Sequence, residues 1–297
     1  MRSALPPLCL RSCCAPLSND AICVMVQAVS SISRLQWALE MGCPREALCV
    51  VAAAQGRRDV LAHARALGLP WGETCVYAAW HGHLKTLTYA LEHGCPCDEA
   101  TCAGAAGGGH FSCLQLAHEW GCPWDEMAHV NAAVGGHILC LRYLHEHNCP
   151  WSDEACELAA GEGQLTCLQY MHESGCPWGL GTCVTAAERG QLACLRYAHE
   201  HGCPWWDELT ACSYAARHGH LACLQYLHAH GCAWDETTCS EASSNGQLRC
   251  LQFAHEHGCP WDSETRRMAR LNGHHLCLRY ADDERCPSEE EEPADYI

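Results

Sequence analysis

The chain has 297 residues, 28 of them cysteine, and a formal charge of −17 at pH 7 with histidine neutral. That acidic balance argues against nucleic-acid binding, which needs a basic stripe. No run approaches the roughly 20 apolar residues of a membrane-spanning helix, and Pro6 and Pro7 break the apolar stretch near the N-terminus, so neither a membrane contact nor a signal peptide is expected.

Residues 1–13 read as an extension. From Cys14 to Cys286 a Gly-Cys-Pro-Trp mark, or a close variant, recurs every 26 to 29 residues, its Cys position falling at 14, 43, 69, 95, 122, 149, 176, 203, 232, 259 and 286, with only Leu69 breaking the residue type. The units lie near 14–42, 43–68, 69–94, 95–121, 122–148, 149–175, 176–202, 203–231, 232–258 and 259–285. Ten similar units in a row predict one elongated solenoid, in which each unit buries its apolar face on its neighbours. The first unit is degenerate, with Asp20 as a candidate N-cap, Cys23 in the helix-1 column and Leu35-Gln36-Trp37 in the second helix. Residues 287–297, with Glu289 to Glu292 between Pro287 and Pro293, read as an acidic disordered tail.

The unit 176–202 shows the local reading. A first helix is predicted from about Thr182, as N-cap, to Arg189, ended by Gly190; a second runs from Leu192 to His201, ended by Gly202 and blocked by Pro204. Comparison among units separates uniform columns from variable ones. A Leu is kept in all ten second helices (Leu35, Leu61, Leu87, Leu114, Leu141, Leu168, Leu195, Leu224, Leu251, Leu278), and an interhelix Gly in nine. Such columns are what a shared stacked core requires.

Residues 211–232, with Ala215-Ala216, Gly219-His220-Leu221 and Gly231-Cys232, resemble the ankyrin repeat, whose pattern is Thr-Pro-Leu-His-x-Ala-Ala-x-x-Gly-His followed by an apolar helix ending Leu-Leu-x-x-Gly-Ala. The likeness spans about 14–286 and is similar in style to the short, Cys- and Trp-rich arrays of large DNA viruses and protists. It implies an all-α, ankyrin-like solenoid. These units are shorter than the ~33 residues usual in the family, and the missing residues fall where the family carries a β-hairpin, so a tight turn is expected there instead.

Twenty-five of the 28 cysteines fall in three columns: the mark, the start of helix 1 (Cys23, Cys49, Cys75, Cys102, Cys156, Cys183, Cys212, Cys239) and helix 2 (Cys113, Cys140, Cys167, Cys194, Cys223, Cys250, Cys277). They read as small buried hydrophobes. Equivalent positions in stacked helices stand about 8–10 Å apart, beyond the ~7 Å limit for a bridge, so no disulfide is expected. No recurrent Cys-x2-Cys pair supports zinc. The histidines just before the residue that ends the second helix (His93, His147, His201, His230, His257; Asn148 follows His147, Gly the others) suit a helix C-terminus, and those after the interhelix Gly match the family's Gly-His pair, whose ring bonds backbone. A weak pH sensitivity is the one functional consequence expected of the histidines. Trp71, Trp124, Trp151, Trp178, Trp205, Trp234 and Trp261 are expected to fill gaps between units.

No catalytic signature is present: no Gly-x-Ser-x-Gly, phosphate loop or His-Glu-x-x-His. Catalytic, cofactor and metal residues are therefore expected to be absent. Asp125-Glu126, Asp207-Glu208 and Asp235-Glu236 recur as helix-start residues. Arg266, Arg267, Arg270 and His275 give the last unit a polar, cap-like character.

Identity then lies in the variable slots. The two residues before the interhelix Gly change in every unit, and the resemblance places them on the groove used for partners. Since Trp, Tyr and Arg most often anchor interfaces, the candidate partner-binding residues are Tyr77, Trp80, His81, Arg189, Tyr214, Arg217 and His218. The expected function is a non-enzymatic scaffold binding a protein partner as a monomer, inside the cell, in the cytoplasm or nucleus. Two alternatives stand beside it: a Cys/His-rich metal- or redox-responsive protein, and a target-selecting adaptor of a ubiquitin ligase.

Overall fold

The structure, a computed structural model, describes residues 25–45, 47–152, 154–179, 181–203 and 210–287. The extension 1–13, Asp20, Cys23, Trp205, Asp207-Glu208 and the acidic run Glu289 to Glu292 lie outside the described residues. Among the described residues every regular element is a helix, and the chain divides into two compact units, residues 1–152 and 153–297.

In the first unit a single helical turn at 25–28 precedes α1 (Ile32–Glu40). Four helix pairs follow: α2 (Leu48–Ala54) and α3 (Arg58–Ala66), α4 (Thr74–Trp80) and α5 (Leu84–Glu92), α6 (Glu99–Gly107) and α7 (Phe111–Glu119), α8 (Glu126–Val134) and α9 (Ile138–Glu146). The second unit holds five pairs: α10 (Ala155–Gly161) and α11 (Leu165–Glu173), α12 (Thr182–Glu188) and α13 (Leu192–Glu200), α14 (Thr210–Arg217) and α15 (Leu221–Ala229), α16 (Glu236–Ser244) and α17 (Leu248–Glu256), α18 (Ser263–Leu271) and α19 (His275–Asp283). Within each unit, first helices stack on first helices and second on second. No strand occupies the segments between pairs among the described residues.

The columns explain the stacking. First helices carry Ala-Ala pairs with no exposed surface, such as Ala78-Ala79, Ala105-Ala106 and Ala186-Ala187, and their small side chains let neighbouring backbones approach closely. Where the column holds Ser243, its hydroxyl donates to the Thr265 carbonyl at 2.7 Å, so the buried polar group is satisfied. The column leucines of the second helices are fully buried from Leu35 to Leu251. Leu278 is only half-buried because no further described pair covers it. In that last pair Arg267 and Arg270 are exposed and Arg266 is paired with Asp282 at 2.6 Å, as a cap-like outer face requires.

Between the helices of a pair the backbone turns through a positive φ. At Gly190 φ is +74°, and a Cβ there would stand 2.4 Å from the His220 ring of the next repeat. Glycine is thus required both by the turn and by the close approach of a ring. His83 bonds the Ala54 carbonyl at 3.0 Å and His137 the Gly107 carbonyl at 3.1 Å through Nε2, tying each turn to the repeat after it.

Helix starts differ from the reading of the unit at 176–202. Thr182 is not the N-cap: it lies inside the first turn of α12, fully buried, and its hydroxyl donates backwards to the Gly179 carbonyl at 2.9 Å. Burial of the column leaves the hydroxyl no free amide to accept from. Aspartate does the capping elsewhere, Asp125 and Asp235 each accepting a backbone N–H at 3.0 Å and Asp262 at 3.3 Å.

The expectation of no disulfide is overturned at one place: Cys97 and Cys122 are bonded, with their Cα atoms 5.5 Å apart. The spacing argument applied to equivalent positions one repeat apart. Cys97 occupies the Trp column and Cys122 the mark, so these non-equivalent positions meet within bonding range. Chain-entropy reasoning gives about 3.5 kcal/mol for closing a loop of this size. The other described cysteines are free thiols, all but Cys43 buried.

The mark tryptophans do fill the gaps. Trp124 stacks on His118 at 4.0 Å between ring centroids and meets Tyr143 edge-on at 6.4 Å. The same arrangement joins His172, Trp178 and Tyr197, and His255, Trp261 and Tyr280. Each of these Tyr hydroxyls hydrogen-bonds the preceding histidine's Nδ1, at 2.8 Å for His118, 3.1 Å for His172 and 2.9 Å for His255. Phe253 takes the Tyr place against His228 and Trp234 and carries no hydroxyl. Phe253→Tyr is therefore expected to raise stability by about 1 kcal/mol, read as a higher urea midpoint; an unchanged or lower midpoint would show that the hydroxyl adds nothing to the ladder.

Candidate interaction surface

The variable slots sit at the C-terminal ends of the first helices, where the turn to the second helix begins. Because a ring or amide of the next repeat caps the turn from beneath, the slot side chains point away from the core. In the second unit they face acidic side chains of neighbouring repeats. Arg189 just after α12 faces Glu162 at 3.9 Å, His218 after α14 faces Glu188 at 3.7 Å, and Arg217 faces Glu241 on α16 at 3.3 Å. Arg189, Arg217 and His218 are exposed, and exposed pairs of this kind are worth only ~0–1 kcal/mol. Each of these groups can therefore exchange its partner for one presented by another molecule. Tyr214, on the same face of α14, is half-buried.

In the first unit the slots look different. His81 is half-buried between the rings of Tyr77 and His83, and burial, with the neighbouring His83 and His110, holds it below the usual histidine range. Trp80 is half-buried because its ring lies across Gly107: a Cβ added at Gly107 would stand 3.0 Å from it. Gly107 is the floor that receives the indole, a relation missed in the sequence. Its signal was the change from Trp to Gly in one slot between consecutive units. Tyr77 is a correction, since it is 5% exposed and its ring lies within the stack. Tyr77, three residues before Trp80, is covered by its neighbours, whereas Tyr214 at the equivalent position of α14 is half-buried. The structure thus brings Arg189, Arg217 and His218 into one row in the second unit and leaves Trp80 and His81 in the first as partly covered groups.

Histidines before the positive-φ residue that ends the second helix (Asn148 after His147, Gly after the others) bond the carbonyl four residues earlier through Nδ1, at 2.8 Å in His93, His147, His201 and His230 and 2.9 Å in His257. They close helix ends. Burial lowers His118, His172, His199 and His228, with a neighbouring histidine adding to the shift in each. Among the described residues no three metal-ligating side chains converge, and no helix is long and apolar enough to cross a membrane.

Stacked helix pairs carrying uniform buried columns and variable turn residues define a helical-repeat protein. Residues 183–228 match the family model of ankyrin repeats (many copies), and the columns of that segment recur through both units. Among solved structures, the chain is similar to the human ASB11 ankyrin repeat domain, with 19% identity and a TM-score of 0.49 over 60% of this chain and 96% of that one. No curated protein matches. Ankyrin repeats generally mediate protein–protein interaction, and the fold is typically non-enzymatic.

Proposed function

We propose that the chain is a non-enzymatic binding module that takes a protein partner across the slot row of its second unit. The observation that carries this reading is the row of exposed, weakly held polar groups at Arg189, Arg217 and His218, set on a scaffold whose other columns are uniform. A complementary partner would present carboxylates to the two guanidinium groups and a basic group to Glu162, Glu188 or Glu241. Salt would weaken such a complex.

The test is capture of partners by the full chain beside a variant carrying Arg189→Glu, Arg217→Glu and His218→Ala. A tenfold or greater loss of the captured partner, with helical circular dichroism unchanged, supports the reading; capture equal to the parent overturns it. Trp80→Ala belongs in a separate arm, because removing the ring opens a hole over Gly107 and perturbs packing as well as surface.

A further inference from the structure

One junction between repeats differs from its neighbours in three columns at once. Before it, Arg65 lies over the Trp71 ring at 4.3 Å and Trp71 meets Tyr89; after it, His118, Trp124 and Tyr143 make the same contact. At the junction itself the three places hold Leu91, Cys97 and Leu116. No aromatic staple can form there. The Cys97–Cys122 disulfide stands in its stead, joining the loop that enters the repeat to the loop that leaves it.

Cys122 has a second place to go. In five other repeats the first-helix cysteine and the mark cysteine 20 residues on are hydrogen-bonded thiols: Cys75 with Cys95, Cys156 with Cys176, Cys183 with Cys203, Cys212 with Cys232 and Cys239 with Cys259. Cys102 is the corresponding first-helix residue for Cys122. Its thiol donates to the Cys122 carbonyl at 3.8 Å, as Cys183 does to Cys203 at 3.9 Å. The backbones are thus disposed alike, and rotation about the Cα–Cβ bond of Cys122 would bring its sulfur to Cys102. Cys97 is half-buried whereas Cys122 is 4% exposed, so a reagent from solvent meets the Cys97 sulfur first.

We propose that Cys97 is a reversible thiol-exchange site for a low-molecular-weight thiol of the glutathione class, with Cys122 alternating between Cys97 and Cys102. A thiolate attacks the Cys97 sulfur; an S–S bond forms between the reagent and Cys97, the Cys97–Cys122 bond breaks, and the Cys122 thiolate takes a proton. A second thiolate attacks the reagent sulfur of the mixed disulfide, releasing Cys97 as a thiol and the reagent as its own disulfide. Two reagent thiols are oxidised and one protein disulfide is reduced; the reverse sequence, driven by the oxidised reagent, restores the bridge. Burial pushes the Cys102 thiol up to about 12, so Cys102 receives Cys122 and does not itself start the exchange. Without the bridge the junction has neither a covalent nor an aromatic tie, and α6 and α7 keep their apolar packing and the hydrogen bonds that Asn131 and His137 make to the Ala103 and Gly107 carbonyls.

The test uses the full chain in buffers of reduced and oxidised glutathione spanning a thousandfold range of ratio, followed by acid quench, differential alkylation and peptide mass spectrometry. The expected result is joint reduction of Cys97 and Cys122 across that range, with the mixed disulfide on Cys97 and Cys102 shielded from alkylation throughout. Amide exchange in 99–119 should rise about tenfold on reduction and in Cys97→Ser. The triple variant Leu91→His, Cys97→Trp, Leu116→Tyr supplies the aromatic staple and should keep exchange slow at every ratio. A bridge that never forms, a mixed disulfide found on Cys122 or Cys102, or amide exchange indifferent to the bridge would each overturn the proposal. No partner enters this experiment, so it stands or falls apart from the slot-row reading.

Discussion

Leu141→Ala is expected to lower the stability of the first unit by about 3 kcal/mol, within the range measured for removing a leucine from a packed core. Leu141 is fully buried on α9, the adjoining Leu144 is fully buried too, and Cys140 is 1% exposed. Three carbons removed there leave a cavity that helices fixed by their own repeats cannot close. A stack of repeats is nearly one-dimensional, so the loss falls on the nearest interfaces and is not shared over the whole core. Leu139→Ala, two residues away on the same helix, is the control: Leu139 is 63% exposed, and its truncation should change stability by less than about 0.5 kcal/mol. Urea unfolding followed by circular dichroism separates the two. Similar midpoints for the two variants would refute the assignment of the leucine column as the core of the second helices.

The second large effect is acid lability at His129. This residue stands on α8 where most other repeats have the first-helix cysteine, and it has no exposed surface. Its Nδ1–H donates to the Pro150 carbonyl at 2.9 Å and its ring stacks on Trp151 at 4.3 Å. Nε2 is therefore the unprotonated nitrogen, buried without a hydrogen-bond partner among the described residues. A proton there would place a charge where nothing solvates it, and burial lowers the pKa to about 4, with nearby His145 acting in the same direction. Between the ordinary histidine value of ~6.5 and that folded value, the unfolded chain binds the proton and the folded chain does not. Stability from this site is thus complete above pH 6.5 and is lost as pH falls towards 4, by a total on the order of 3 kcal/mol. His129→Cys restores the residue of the column and removes the titrating group. Its urea midpoint should fall less steeply than the parent's between pH 6.5 and 4.5, while the lowered His118, His172, His199 and His228 give both proteins a shared remaining slope. Parallel pH profiles for the two proteins would exclude His129 as the source.

Much of the repeat was legible in the chain because one physical demand recurs in every unit. The leucine column, the Ala-Ala pair and the interhelix glycine each satisfy the same contact with the same neighbour, so ten copies in one chain display which residue types that contact tolerates. Helix ends near Gly190 and Gly202, the His201 ring on the Tyr197 carbonyl and Trp178 between His172 and Tyr197 all follow from columns read along the sequence. The surface was less legible. Arg189, Arg217 and His218 vary in sequence and are exposed in the structure, but Tyr77 varies and is buried. Variation between units marks a position that the stack does not force to one residue type, and a buried site of adjustable size meets that condition as well as a solvent-facing one.

By itself the sequence determined the all-helical repeat, its period, the leucine and alanine core and the punctuation by glycine, because these depend on contacts between like positions one repeat apart. Only the tertiary structure decided the contacts between unlike positions. Cys97 meeting Cys122, Trp80 lying over Gly107, Thr182 turned inward and His129 sealed beneath Trp151 each depend on how far one repeat is displaced and rotated against the next. That displacement arises from the packing of whole helix faces, and a one-dimensional pattern of residue types carries no direct record of it.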